Sequence, residues 1–228
     1  TKNPKKKYTS DLYFVFSKHV KKIMERYINT KCIVVGSIKN NFKKQKKKTL
    51  KKDHIAFISR FRKITLRAIS TKLKDDPNFI VHKFSSKLLI NLAKYCNNHN
   101  VKLSILTSTN SYLLSKEKEY YNDILNGYDL NFVKKKIDSD SYSSINKFSI
   151  LISPSSTLGV EALSHKMKVI YFSEDKILGS NFGWPFLRKK KGPFFSNNYD
   201  YKNVDKIISN LRNIKESEWE KNLIKYKD

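Results

Sequence analysis

Apolar residues in this chain fall into short blocks, and the block spacing separates strands from helices. Phe148 to Ile152, FSILI, is a brief apolar run of the kind a strand buried on both faces carries. Asp11 to Phe16, Cys32 to Ile38, His54 to Ser59, Val101 to Leu106, Leu130 to Val133 and Lys168 to Phe172 read the same way. Lys18 to Tyr27 places Val20, Ile23, Met24 and Tyr27 at helical spacing. A second helix runs to Cys96 with Leu88, Leu89, Leu92, Ala93 and Cys96 on one face, capped by Ser85 or Ser86. Lys116 to Leu125 predicts another, with Gly127 as its C-cap. Tyr142 to Lys147 predicts a short one. Val204 to Ile214 and Glu216 to Tyr226 predict two closing helices, with Ser217 capping the last. The stretch from Arg60 to Val81 shows no clear period and reads as irregular; Ser173 to Tyr201 has little periodicity but many aromatics.

From His54 onward, strands and helices alternate. That alternation predicts an α/β fold, a Rossmann-like parallel sheet flanked by helices. Right-handed crossovers then bring the turns at Arg60, Thr107 and Ser153 to Thr157 to one edge of the sheet. Asn40 to Asp53, NNFKKQKKKTLKKD, is lysine-dense without a core pattern and reads as an extended linker.

The stretch KFSILISPSSTLGVEALSHKMKVIYFS, Lys147 to Ser173, organises the rest. It reads as strand, polar turn, helix, strand. Pro154 has no N–H for a ladder and ends the first strand. Ser155, Ser156 and Thr157 stand where hydroxyls cap a helix through Val160 to Leu163. In open α/β sheets ligands bind at the carboxyl ends of strands, and a helix N-terminus there favours an anion, most often a phosphate. Capping alone is the plainer account of the hydroxyls. Two residues favour a ligand. Gly159 allows close approach by a ligand or by the neighbouring strand. Glu161 follows Thr157 by one turn, where a carboxyl group can accept from a ribose diol. Arg60 and Arg62 follow a strand on the same expected edge, as bidentate phosphate partners or as solvated loop charges.

Composition adds a charge that needs an account. Lys and Arg number 47 against 20 Asp and Glu, a formal net charge of +27, and the chain has 228 residues. Six of the basic residues are Arg, and Lys, Asn, Ile, Tyr and Phe are abundant. That set follows AT-rich codons first. An anionic membrane surface comes second and nucleic acid third, because a nucleic-acid reader would use more Arg. No run of eighteen apolar residues predicts a transmembrane helix, and TKNPKKKYTS has no apolar signal region. Cys32 and Cys96 have no motif spacing and read as reduced core thiols of a cytoplasmic protein.

The chain has no GxGxxG, no GxxxxGK[ST] and no GxSxG. Its five histidines have no partner at ligand spacing, so no metal is expected. Asp138-Ser139-Asp140 has the shape of a metal-binding DxD but reads better as a loop and cap. Asn181 to Pro185 and Gly192 to Phe195 gather aromatics into Gly/Pro-broken loops, which stack on sugar rings or plug a core; the plug is the preferred reading.

Read together, several strings resemble a known family. They are Phe14-Val15-Phe16 with Lys18-His19, Ile33 to Ser37 with Asn40-Asn41, Ile58 to Arg62, Ser156 to Leu163, and Phe182 to Pro185. The turn resembles the donor-site segment of GT-B glycosyltransferases. The ordered set is similar to bacterial surface-carbohydrate biosynthesis proteins of the capsule and O-antigen type. The resemblance implies a nucleotide-sugar bound in a C-terminal Rossmann-like donor domain, with an acceptor-type α/β domain before it. It implies that Ser155, Ser156 and Thr157 hold the donor phosphate, that Glu161 holds the ribose, and that no metal or other cofactor is needed. The donor domain would be 54–228, the lysine-rich linker 42–53, and 1–41 the tail of the acceptor domain. Two full domains need about 300 residues, so an upstream part is missing or the form is reduced. The catalytic base is unknown; His19 and Asp11 are weak candidates.

The expected function is therefore transfer of a sugar from a nucleotide-sugar to a saccharide or lipid-linked acceptor during surface polysaccharide synthesis. The site is cytoplasmic, with the lysine surface against the anionic inner leaflet. The alternatives are an incomplete, non-catalytic nucleotide-sugar-binding domain and a basic nucleic-acid-binding protein.

Overall fold

The computed structural model describes residues 8–36, 51–72, 75–108, 111–134, 144–154, 156–173 and 191–225. Contacts divide the chain into two compact units: Thr1–Lys47 with Ile224–Asp228, and Lys48–Leu223. Asn40, Asn41, Asp138 to Asp140, Ser155, the 142–143 part of the expected short helix and the Phe182 to Pro185 loop lie outside the described residues.

In the first unit, β1 (Tyr8–Val15), α1 (Lys18–Tyr27) and β2 (Ile28–Val34) follow one another, and the two strands pair in parallel. Ser17 caps α1, its hydroxyl accepting from the Val20 N–H at 3.2 Å. Val15 and Cys32 are buried, whereas Leu12, Phe14 and Ile33 are exposed. β2 begins earlier than the apolar run does, because Tyr8↔Ile28 and Thr9↔Asn29 already pair.

The second unit carries β3 (Lys51–Ile58), α2 (Lys63–Thr71), α3 (Pro77–Asn98), β4 (Lys102–Leu106), α4 (Leu114–Ile124) and β5 (Asn131–Val133). It continues with β6 (Phe148–Ser153), α5 (Thr157–Ser164), β7 (Lys168–Phe172), β8 (Lys191–Gly192), β9 (Phe195–Ser196), α6 (Tyr201–Asn213) and α7 (Glu216–Lys225), whose last two residues are counted with the first unit. The sheet order is β5-β4-β3-β6-β7-β9-β8, parallel throughout except for the β8–β9 edge. Counted within the unit, the six parallel strands stand in the order 3-2-1-4-5-6, the doubly wound Rossmann arrangement. Right-handed crossovers put the helices after β3 and β4 on one face and the helix after β6 on the other. Central strands are buried on both sides: Ile55, Ala56 and Phe57 in β3, and Ile150, Leu151 and Ile152 in β6. The α/β architecture expected from the sequence is the one observed.

Four local expectations are corrected. The stretch from Arg60 to Val81 is not irregular: it holds α2 and the start of α3. Neither Ser85 nor Ser86 caps α3. The cap is Asp76, whose carboxyl oxygen accepts from the Asn78 N–H at 2.7 Å, followed by Pro77 in the first turn. Gly127 is not the cap residue of α4. Leu125 is, and Gly127 stands further on with φ +85°. Ser217 lies inside α7, which starts at Glu216, so it does not precede the helix.

β3 begins at Lys51, three residues ahead of the expected strand, because Lys51 already pairs with Phe148. Phe194 and Phe195 are buried, and Phe194 meets the ring of Trp219 edge-on at 5.2 Å, so this aromatic pair plugs a core.

Candidate functional site

The strand order reverses between β3 and β6. At such a reversal the two following chains leave in opposite directions and a crevice opens at the carboxyl edge. Phe57 of β3 pairs with Ile152 of β6, so the turns that begin at Ser59 and at Pro154 leave the sheet at the same level. Arg60 and Arg62 belong to the first turn, Ser156 and Thr157 to the second. The fold thus brings four of the expected anion-binding residues to neighbouring strand ends.

Each turn is held by side chains. Ser156 is the N-cap of α5, with φ −94° and ψ 136°, and its hydroxyl accepts from the Leu158 N–H at 3.2 Å. An accepting hydroxyl still has its proton to donate, so capping and anion binding are compatible in one residue. The Ser156 N–H donates to the hydroxyl of Ser153 at 3.1 Å. Ser153 is fully buried at the end of β6 and fixes the turn from beneath. Thr157 opens the helix and is exposed.

Gly159 allows close approach by the sheet rather than by a ligand. A Cβ there would stand 2.6 Å from the Ser153 hydroxyl oxygen and 2.8 Å from the Tyr171 phenol oxygen. Burial pushes the Tyr171 phenol well above its ordinary range, with a hydrogen bond to Ser153 acting the other way. Glu161 is half-buried on α5. Its carboxyl group makes no hydrogen bond or ion pair among the described residues, so it keeps its accepting capacity.

On the β3 side, Arg62 precedes α2 and is exposed, while Arg60 is half-buried. The Thr65 N–H donates to the Arg62 carbonyl at 2.9 Å, which sets the first turn of α2. Beneath these arginines lies a polar cluster that sequence reading missed. Ser59 is buried, and its hydroxyl donates to Glu117 Oε1 at 2.5 Å and accepts from the Tyr121 phenol at 2.8 Å. Glu117 is 0% exposed and accepts the Ser108 N–H at 2.8 Å. A carboxyl residue on the inward face of α4, beside Tyr120 and Tyr121, is the signal that points to it.

Two clefts lie away from this edge. One of about 580 Å³ runs between α2, α3 and α4, with His82, Ser86 and Tyr120 in its wall. The other, about 890 Å³, opens at the amino ends of β3, β4 and β5 beside His54 and Asn131. Neither is lined by Arg60, Arg62, Ser156 or Glu161. Asp11 and His19 belong to the first unit, on β1 and α1, outside the sheet that carries the edge.

Known proteins share this architecture. The Glycosylation Associate Protein (Gap123) complex from Streptococcus agalactiae matches at 13% identity and TM-score 0.58, over 95% of this chain and 41% of that one. A point mutant of S. aureus TarM, in complex with fondaparinux, alpha-GlcNAc-glycerol and UDP, matches at 17% identity and TM-score 0.51, over 93% and 40%. At these identities the likeness is one of fold, and the chain spans about 40% of the length of those structures. A comparison with curated proteins gives no match. A family profile matches residues 1–227. The chain belongs to the family described as "putative O-antigen biosynthesis protein".

Proposed function

We propose that this chain forms the donor-binding part of a glycosyltransferase of surface-glycan synthesis. It would transfer a sugar from a nucleotide-sugar to a saccharide or lipid-linked acceptor. One observation carries the reading: the Ser156-capped N-terminus of α5 stands beside the Arg60 turn where the strand order reverses. In this reading Ser155, Ser156 and Thr157 hold the donor phosphates together with Arg60 and Arg62, and Glu161 accepts from the ribose. Departure of the nucleotide puts negative charge on its terminal phosphate. Preorganised hydroxyls, backbone N–H groups and guanidinium groups stabilise that charge. The same groups take the place of a metal, so transfer is expected to be unaffected by EDTA.

The family supports a role in surface-glycan synthesis. The solved TarM structure contains UDP, and uridine nucleotides therefore belong in the first screen. A second reading is favoured by the 40% to 41% coverage of the solved structures: a nucleotide-sugar-binding domain without turnover of its own. Binding without transfer, with transfer restored by an added acceptor domain, would select it.

The test is a thermal-shift screen of CMP, UDP, GDP, dTDP and a short oligonucleotide, beside Ser156→Ala and Glu161→Ala. One nucleotide should raise the melting temperature, and both substitutions should weaken that shift. Stabilisation by the oligonucleotide alone, unchanged in the variants, would replace this function with nucleic-acid binding. The proposal also includes docking of the lysine-rich chain on the anionic inner leaflet. Vesicle sedimentation at low and moderate salt tests it, and absence of binding to anionic vesicles removes that element. Among the described residues no helix is long and apolar enough to cross a membrane.

A further inference from the structure

The buried cluster under the arginine turn has a direction. The Arg60 backbone N–H donates to the Tyr121 phenol oxygen, the phenol donates to the Ser59 hydroxyl, and that hydroxyl donates to Glu117 Oε1. Two further bonds hold the next peptide. The Phe61 N–H donates to the Ser59 hydroxyl at 3.1 Å, and the Ser108 hydroxyl donates to the Phe61 carbonyl at 2.8 Å. Ser108 is itself seated by its N–H on Glu117 Oε1. Both peptide groups flanking Phe61 are therefore fixed, and the buried Phe61 ring packs on Tyr120 at 5.3 Å. Arg60 and Arg62 leave the backbone on either side of this anchored residue. A chain of bonds that all point to one acceptor loses its order when that acceptor is removed.

We infer that Glu117 is a positioning residue: as the terminal acceptor under the β3–α2 turn, it aims Arg60 and Arg62 at the phosphates of the donor. This rests on the donor-site reading above. Glu117 is covered by protein and does not meet the ligand, so its effect travels through the arginine turn. It should change the part of the affinity that phosphate supplies and leave the part that the nucleoside supplies. A residue that serves stability alone would lower the melting temperature and leave that partition as it was.

The experiment is calorimetric titration of the full chain, well below its melting temperature, with three ligand pairs: uridine and UDP, guanosine and GDP, cytidine and CMP. For the pair that binds, the ratio of nucleoside Kd to nucleotide Kd reads the phosphate contribution. In Glu117→Ala that ratio should fall by about tenfold, the loss expected of one charge-assisted contact. Glu117→Gln keeps an acceptor oxygen in place and should restore most of the ratio. The Arg60→Ala/Glu117→Ala double variant should lose no more than Glu117→Ala alone, and so less than the sum of the two single losses, because Glu117 acts through the arginines. If Glu117→Ala does not fold, Ser108→Ala, which releases the Phe61 carbonyl and removes the longer contacts of the Ser108 hydroxyl with Glu117 and Ser59, should move the ratio in the same direction.

An unchanged ratio in Glu117→Ala or Ser108→Ala, with nucleotide binding still weakened by Ser156→Ala, overturns the positioning role and leaves the donor site standing. Losses that add fully in the double variant do the same. Binding of no nucleotide by the wild-type chain removes the donor-site reading, and the inference with it.

Discussion

Position 159 has no side chain because the sheet occupies the space one would need. An added Cβ would meet Ser153 Cβ at 2.7 Å and its hydroxyl oxygen at 2.6 Å, atoms held close to the backbone of β6. Gly159→Ala should destabilise the fold by about 1–3 kcal/mol, as overpacking of a filled site does, measured by urea denaturation. Ser156→Ala removes a cap acceptor and should cost about 1 kcal/mol by the same measurement. The sequence made Gly159 legible as a point of close approach. It left open what approaches, since Ser153 and Tyr171 arrive from two separate strands. Cys96 is a similar case: its burial followed from helical spacing, and the surroundings set its chemistry. Burial pushes its thiol from an ordinary value near 9 up to about 12. The folded pKa is raised, so this contribution to stability is present below pH 9 and is lost as pH rises toward 12. Unfolding free energy should fall over that window, and less steeply in Cys96→Ala, as followed by denaturant titration at successive pH values.

At the scale of elements, helices with a clean apolar period and an orthodox cap were readable. α1 and β7 have the bounds their patterns predict. α2 escaped because its signals are weak. Its cap position is Arg62, which has no side-chain acceptor, and its C-cap Lys72 takes the left-handed region at φ 50° where glycine is usual. The sequence pattern places the start of α3 late because Ser85 and Ser86 look like caps. Asp76 followed by Pro77 is the stronger start, and once the helix has begun a serine can sit inside it. Ser86 does so by donating to the His82 carbonyl one turn back, at 2.8 Å. The last helix, α7, is anchored chiefly by Trp219, beside an exposed ion pair of Glu220 with Lys166 at 2.8 Å. Trp219 is 0% exposed, and its indole N–H donates to the Lys166 carbonyl at 2.9 Å. Trp219→Ala should cost about 3–5 kcal/mol, visible as a large drop in melting temperature. Trp219→Phe, which keeps an aromatic ring and loses the donor, should cost less than half as much.

At the scale of the molecule, the doubly wound sheet decides what the turns can do together. Among the described elements, two strands and three α-helices separate β3 and β6 in sequence, yet the two strands are neighbours in the sheet. Their carboxyl ends define the edge where Arg60, Arg62, Ser156 and Thr157 converge. The sequence by itself determined the alternating α/β class, the strand–turn–helix of the Ser156 segment and the identity of that edge. Those features depend on local periodicity, on proline and glycine geometry, and on caps within a few residues. The resemblance to surface-carbohydrate proteins was equally legible, being carried by short ordered strings. The tertiary structure decided the rest. It set the reversal of strand order between β3 and β6, the neighbour that fills the space beside Gly159, and the seat of Trp219 on Lys166. It also assembled Ser59, Ser108, Glu117 and Tyr121 beneath the arginine turn. The partners in these contacts come from separate segments, chosen by burial and by the need to satisfy each buried polar group, and no pattern within a single segment encodes that choice.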